Sequence, residues 1–288
     1  MPLVCLLTIG LSACEEDVTV VTGTDLPFSL FGVLTPEADT QFVRVFAIEG
    51  QLSPIENAPL DARFTSQVLE TGEERVWRDS LIQEANGQFS HVYWSPFTAV
   101  HARTYRLDVE RSDGARTSVE AKVPPMSEMV LPAQAFDVPG VFPVVINGEV
   151  PNLLRIEVTY GYKYLFSGEV VRDAITFVYD GAEEKVVGGW FLSVNAAQDR
   201  IRIQSLLKEA LDLDTAPNVK LVRLTIRMIA ANLEWEPPEG NFDLDVLVQP
   251  GTLSNVENGF GFVGAGYRLE GEWVPFDTLL VDTGVLNR

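Results

Sequence analysis

The chain has 288 residues, a length compatible with two domains, and 46% of them are hydrophobic, including 16 Phe, which supplies a sizeable core and excludes general disorder. Its 41 acidic residues against 21 Lys and Arg leave a net charge of −20. Such a surface repels phosphate backbones and anionic lipid, which excludes nucleic acid and peripheral membrane binding, and it tolerates cationic partners or calcium.

The apolar run from Leu3 leads into Leu11-Ser12-Ala13-Cys14, the spacing of a bacterial lipobox. A signal-peptide apolar region is about 7–15 residues, too short to span a bilayer. Small Ser12 and Ala13 let the backbone enter a signal peptidase, and the Cys14 thiol takes the diacylglycerol. Residues 1–13 therefore read as a lipoprotein signal peptide, with Cys14 as the lipidation site. Stable anchoring takes two or more acyl chains, which a diacylated cysteine provides. Signal peptides of this kind begin with Lys or Arg, whereas Arg44 is the first basic residue here; a basic stretch upstream of Met1 reconciles the two. Residues 14–25, starting Cys14-Glu15-Glu16-Asp17, read as the lipidated cysteine and its tether. Cys5 leaves with the signal, so the mature protein has no disulfide, and a core of this size needs none.

Residues 26–124 carry the signals of short strands. Gln41–Glu49, Ala62–Leu69 and Gln88–Trp94 are strand candidates, the last after an Asn86-Gly87 turn. Tyr105 to Val109 alternates apolar and polar, turns at Asp113-Gly114 and returns as Arg116–Val123. Several short strands without a helical period predict an immunoglobulin-like β-sandwich. Val123-Pro124-Pro125 marks its exit, because a double proline cannot sit in a paired central strand.

Residues 127–288 predict a second β-rich (α+β) domain. Leu154, Ile156, Val158, Tyr160, Tyr162, Tyr164 and Phe166 share one parity, the pattern of a long strand with one apolar face. Ala174–Tyr179 and Lys185–Val194 flank Asp180-Gly181, a second expected hairpin, and Val222, Leu224, Ile226 and Met228 mark another strand. Ser205 to Leu211 reads as one short helix opened by Ser205, with Leu206, Leu207, Ala210 and Leu211 on its apolar face. No fixed-period repeat is visible.

Few residues suggest chemistry. Gly259-Phe260-Gly261-Phe262-Val263-Gly264 matches the GxGxxG string of dinucleotide sites, but that string works only where a strand turns into a helix. Here 24 residues follow Gly264, with Pro275 among them, so a glycine-rich strand or turn is expected. Ser205-Leu206-Leu207-Lys208 matches an SxxK string without the companion elements of penicillin-binding enzymes. Asp212/Asp214 and Asp243/Asp245 lack the twelve-residue calcium-loop pattern. His91 and His101 are a poor base for zinc or a triad. The five tryptophans, Trp77, Trp94, Trp190, Trp235 and Trp273, are expected in cores more than on a sugar-stacking platform. No catalytic, cofactor or metal residue is assigned; Cys14 is the one functional residue.

Three passages carry a resemblance: Cys14-Glu15-Glu16-Asp17, the Tyr105–Pro124 hairpin ending in Val-Pro, and Leu253-Ser254-Asn255-Val256-Glu257-Asn258-Gly259-Phe260-Gly261-Phe262-Val263-Gly264-Ala265. In these the chain resembles a family of Bacteroidota outer-membrane lipoproteins classed as a domain of unknown function. The resemblance implies a lipid-anchored protein of the outer membrane, often encoded near TonB-dependent transporters; the acidic run Glu15-Glu16-Asp17 resembles a surface-export signal and reads equally as the start of a solvated tether. It also makes the last passage a closing strand. The expected role is a binding or interaction module accessory to an outer-membrane uptake complex, with a β-barrel transporter as partner. Alternatives are a surface glycan or peptide hydrolase and a passive adhesive module.

Overall fold

Alternation of apolar and polar residues sets the strands, and their apolar parities define two cores. The computed structural model describes residues 26–48, 59–83, 89–235 and 254–276. The signal peptide, Cys14, the tether to Asp25, the Asn86-Gly87 turn and the Asp243/Asp245 pair lie outside them. Among the described residues no helix is long and apolar enough to cross a membrane.

The first eight strands are β1 (Phe28–Leu34), β2 (Gln41–Ala47), β3 (Arg63–Val68), β4 (Glu74–Val76), β5 (Arg78–Gln83), β6 (Phe89–Ser95), β7 (Thr104–Glu110) and β8 (Arg116–Lys122). They pair as β1-β2-β6-β5 and β4-β3-β7-β8. This is the ABED and C′CFG order of an immunoglobulin-like sandwich. Phe28, Leu30, Val43 and Val45 of one sheet meet Phe64, Tyr105, Leu107 and Val119 of the other in a single core. A tyrosine corner supports the same assignment. Tyr105 stands at the start of strand F, and its hydroxyl accepts the backbone N–H of Val100 at 2.9 Å. The ring is 1% exposed, so this bond anchors the E–F loop from inside the core.

The remaining strands are β9 (Glu128–Val130), β10 (Phe142–Asn147), β11 (Asn152–Phe166), β12 (Glu169–Val178), β13 (Glu183–Val186), β14 (Gly189–Val194), β15 (Lys220–Ala231) and β16 (Gly259–Trp273). They pair as β13-β14-β10-β9 and β12-β11-β15-β16. Read in chain order this is again ABED and C′CFG, so the second block is a sandwich with the strand order of the first. One helix, α1 (Ala196–Ala210), replaces the E–F loop. The expected Asp180-Gly181 hairpin is not one: β12 pairs with β11, β13 pairs with β14, and the turn carries the chain from one sheet to the other. Asp180 instead accepts the Ile156 N–H at 2.6 Å. The expected strand Lys185–Val194 is two, split at Val187-Gly188.

Helix α1 begins nine residues before Ser205. Its N-cap is Asn195, whose side chain accepts from the Gln198 N–H at 3.1 Å. Ser205 is internal, with its hydroxyl donating to the Ile201 carbonyl at 3.0 Å, and Leu206 faces outward. The buried stripe is Ala196, Asp199, Ile203 and Leu207.

Strand β16 belongs to both sandwiches. Its first half runs parallel to β1, from Phe28↔Gly259 to Leu34↔Ala265. Its second half is antiparallel to β15, from Ala231↔Gly266 to Leu224↔Trp273. One face of this strand therefore lines two cores, with Val263 and Ala265 in the first and Tyr267, Leu269 and Trp273 in the second. The result is one eight-stranded sheet, β12-β11-β15-β16-β1-β2-β6-β5. The break at Pro124-Pro125 separates β1–β8 from β9–β15, but the chain from Ser254 to Ala265 returns to the first sandwich. Backbone bonds between Ser118 and Glu257 in both directions, at 3.1 and 2.7 Å, fasten that return against β8.

Candidate functional site

The outer face of the first C′CFG sheet is built by residues at alternate positions of three neighbouring strands. Cross-strand register places Arg63, Glu110 and Arg116 in one row, Thr65, Asp108 and Ser118 in the next, and Gln67, Arg106 and Glu120 in a third. All of these but Ser118 and Glu120, with Glu74 from β4, line a shallow basin of about 370 Å³. Asp108 lies at its centre and is only 8% exposed. Its Oδ1 accepts from Arg106 Nε at 3.3 Å and from Arg116 Nε at 3.0 Å, while Arg116 Nη2 lies at 2.8 Å. A buried carboxylate needs this much compensation. The pairing holds both guanidiniums beside the basin that the two residues line. Gln67 Nε2 donates to Glu74 at 3.3 Å on the far rim. Fixed guanidinium donors and carboxylate acceptors side by side suit a small polyhydroxylated ligand, whose neighbouring hydroxyls both donate and accept. The volume falls within the range of small-molecule sites.

A second polar cluster holds the fold together. Asp199 on α1 is 3% exposed. It accepts from Tyr160 Oη at 2.8 Å and from Tyr179 Oη, and Arg202 Nη1 lies 3.4 Å away. Burial, reinforced by the Asp199 carboxylate, raises the Tyr160 phenol far above its usual range. The same two causes push Tyr179 up to about 12. Arg202 also stacks 4.2 Å from the centre of the Phe177 ring. These contacts dock the helix on the β11–β12 hairpin.

The structure separates the two histidines. His91 Nδ1 lies 2.9 Å from Asp79 on β5, whereas His101 Nδ1 lies 3.0 Å from the Pro124 carbonyl. His101 packs edge-on against Tyr267, whose hydroxyl donates to the Pro125 carbonyl at 2.8 Å, so it belongs to the seam between the sandwiches. Trp77 stacks on Phe64 in the first core, and Trp273 packs edge-on against Phe142 in the second. Asp212 sits at the end of α1 with φ +49°, as a helix terminator. The glycines at 259, 261 and 264 serve β16. A Cβ on Gly261 would lie 2.0 Å from the Leu30 carbonyl oxygen, and one on Gly264 would lie 2.1 Å from the Trp235 indole nitrogen. Asn255, in the same passage, pairs both backbone groups of Val263, donating at 2.7 Å and accepting at 3.0 Å.

No protein-family model and no curated protein matches the chain. Among solved structures it is similar to a pullulanase from Anoxybacillus sp. LM18-11, with 9% identity and a TM-score of 0.22 over 71% of this chain and 24% of that one. A chain of a cytokine receptor complex matches with 11% identity and a TM-score of 0.26, covering 84% of this chain and 95% of that one. The C-terminal globular domain of an oligosaccharyltransferase from Pyrococcus abyssi matches with 11% identity and a TM-score of 0.19, covering 86% and 48%. The chain thus spans about a quarter of the pullulanase. At these scores none of the three bears on the function.

Proposed function

We propose that the chain is a lipid-anchored binding module of the outer membrane, held by Cys14 and serving as an accessory component of an outer-membrane uptake complex. The observation that supports a binding role is the Asp108 basin, where three arginines and three carboxylates are set on the outer face of a rigid sheet. A sheet presents side chains at fixed spacing, so a ligand meets preorganised partners without loop ordering. The lipobox supplies the anchor and the tether sets the sandwiches off the bilayer. The uptake role rests on the resemblance, and its partner is a β-barrel transporter.

A C-terminally tagged copy purified from mild-detergent membranes tests this reading. The expected result is a β-barrel transporter recovered in near-equal amount, and its loss on Cys14→Ala. Recovery of the lipoprotein alone overturns the accessory role.

A further inference from the structure

Strand β12 closes one side of the eight-stranded sheet, and among the described residues β11 is its one neighbour there. Its ten residues run along β11 in unbroken register, from Phe166↔Glu169 to Glu157↔Val178. Strand edges are commonly blunted by shortness, proline, a bulge or lysine. The edge strands β4, β5, β9 and β13 have three to six residues. β8 is fastened at Ser118 by Glu257. β12 is longer than any of these, and it has no proline, no lysine and no bulge.

The direction of its backbone groups follows from the ladder. The Tyr179 N–H, one residue past β12, donates to the Ile156 carbonyl at 2.8 Å. In an antiparallel ladder alternate residues turn both backbone groups to the same neighbour. Odd-numbered residues of β12 therefore turn theirs to β11, while Val170, Arg172, Ala174, Thr176 and Val178 turn theirs to the open edge. The Ala174 N–H agrees, since it donates to Asp173 Oδ1 at 2.8 Å. The side chains of the same five residues are all exposed, on one face. Their order is symmetric about Ala174: a valine at each end, a polar residue inside each valine, and a small residue at the centre.

From the open edge, the outward backbone groups and this symmetry, we propose that β12 pairs antiparallel with β12 of a second copy, about a two-fold axis at Ala174. Val170 then lies opposite the second copy's Val178, Arg172 opposite its Thr176, and Ala174 opposite its Ala174. Each of these opposed pairs exchanges both backbone bonds. Asp173 Oδ1 gives up the Ala174 N–H to the second copy's carbonyl. Leu165 stands directly opposite Val170 on β11. Leu165, Val170 and the second copy's Val178 thus form an apolar row at each end of the junction, from side chains 64–68% exposed in the single chain. Axes at Arg172 or Asp173 set like charges face to face, which destabilises a sheet. Axes farther toward either end leave Val170 or Val178 outside the pairing. A contact between identical copies needs a self-complementary patch, whereas an unrelated strand has no need of this symmetry. The inference is independent of the Asp108 basin and of the uptake partner.

The test uses the full lipidated chain in non-ionic detergent, with its mass read by sedimentation. The expected result is a dimer. Ala174→Pro removes an N–H that points to the open edge, so the β11 ladder stays intact while the dimer is lost. Val170→Lys/Val178→Lys changes two exposed positions, leaves Tm unchanged, and should give monomers because lysines then meet face to face. Val170→Glu/Val178→Lys sets opposite charges at the same places and should keep the dimer. Cross-linking reads the register: an Ala174→Cys chain, oxidised in its membrane with copper phenanthroline, should form a disulfide-linked dimer. Thr159→Cys, one strand inward on the same face, should not. A monomeric wild type, a dimer that survives Val170→Lys/Val178→Lys, loss of the dimer in Val170→Glu/Val178→Lys, or equal cross-linking through Thr159→Cys overturns the proposal. Cross-linking of Ala174→Cys to a different protein also overturns it, because a foreign strand then occupies the edge.

Discussion

Gly261→Ala probes the strand that joins the sandwiches. The residue has φ +108°, and its added Cβ would fall 2.0 Å from the Leu30 carbonyl oxygen. Gly114 is the internal reference, at φ +88° with nothing within 4 Å of its added Cβ. Both substitutions force an L side chain into the left-handed region, at about 1–2 kcal/mol. Only Gly261→Ala also drives a methyl group into the backbone of β1. Relief requires the two strands to part locally, disturbing a parallel ladder of seven residue pairs. Losing two or three of its hydrogen bonds, at about 1 kcal/mol each, adds about 2–3 kcal/mol. Gly261→Ala should therefore cost about 3–5 kcal/mol and Gly114→Ala about 1–2 kcal/mol. Urea unfolding of the chain from residue 15 onward, compared at constant slope, reads the difference. Calorimetry should resolve two transitions in Gly261→Ala where the wild type shows one. A Gly261→Ala variant within about 1 kcal/mol of Gly114→Ala, a gap no larger than one hydrogen bond, refutes the idea that β16 welds the two sandwiches.

The remaining expectations concern buried hydroxyls. Tyr105→Phe should destabilise by about 1–2 kcal/mol, because the Val100 N–H loses its acceptor; urea midpoints check this, and no change removes the tyrosine corner as a stabilising element. Asp199→Ala should cost about 2–4 kcal/mol, because it strands the buried Tyr160 hydroxyl and removes the acceptor of Tyr179; its ion-pair partner Arg202 is largely exposed and adds little. Thermal unfolding measures it, and the Asp199→Ala/Tyr160→Phe double variant should cost less than the two single changes added together. The raised Tyr179 phenol gives a pH dependence of defined sign. With the unfolded value near 10 and the folded value about 12, the unfolded state loses its proton first, so the stability is intact below pH 10 and falls as pH rises toward 12. Stability profiles of wild type and Tyr179→Phe should diverge in that window, and coincident profiles contradict the assignment.

The parts of this fold that sequence reveals are those whose partners lie close by in the chain. The β7–β8 ladder joins neighbours across Asp113-Gly114, and the single parity of β11 reports one buried face; both are local signals. Helix α1 was half hidden because its buried stripe includes Asp199, a polar residue that breaks the apolar period in the first turn. The second sandwich was masked in two ways. Its C′ strand β12 exposes most of its side chains, so it carries little alternation, and a helix stands where the first sandwich has a loop. The parallel pairing of β1 with β16 connects residues more than 200 positions apart, and no local pattern encodes it. Its trace in the sequence is the run of glycines, which mimics a phosphate-binding string because both need close backbone approach. The Asp108 basin was illegible for a related reason: alternate polar residues on β3, β7 and β8 read as an ordinary wet face until register sets them side by side.

The weld also decides what the proposed anchor can do. The tether leads directly into β1, and β1 is the strand that β16 grips. A lipid on Cys14 would therefore attach at the joint between the sandwiches. Two domains strung on a linker would let the distal one swing, since interfaces between domains within a chain are commonly mobile. Here a strand shared by two cores, the Pro125 to Tyr267 bond and the Glu37 bond to the Arg268 N–H at 3.0 Å hold both sandwiches to the same joint. The Asp108 basin and the outer face of β12-β11-β15 thus keep a fixed separation and orientation. Fixed geometry permits a protein partner touching both sandwiches to gain from effective concentration, because the second contact costs no new positioning. It also makes the coupling testable without a ligand: Gly261→Ala should loosen the relation between the two faces while leaving each sheet's own pairings, β3-β7-β8 and β12-β11-β15, intact.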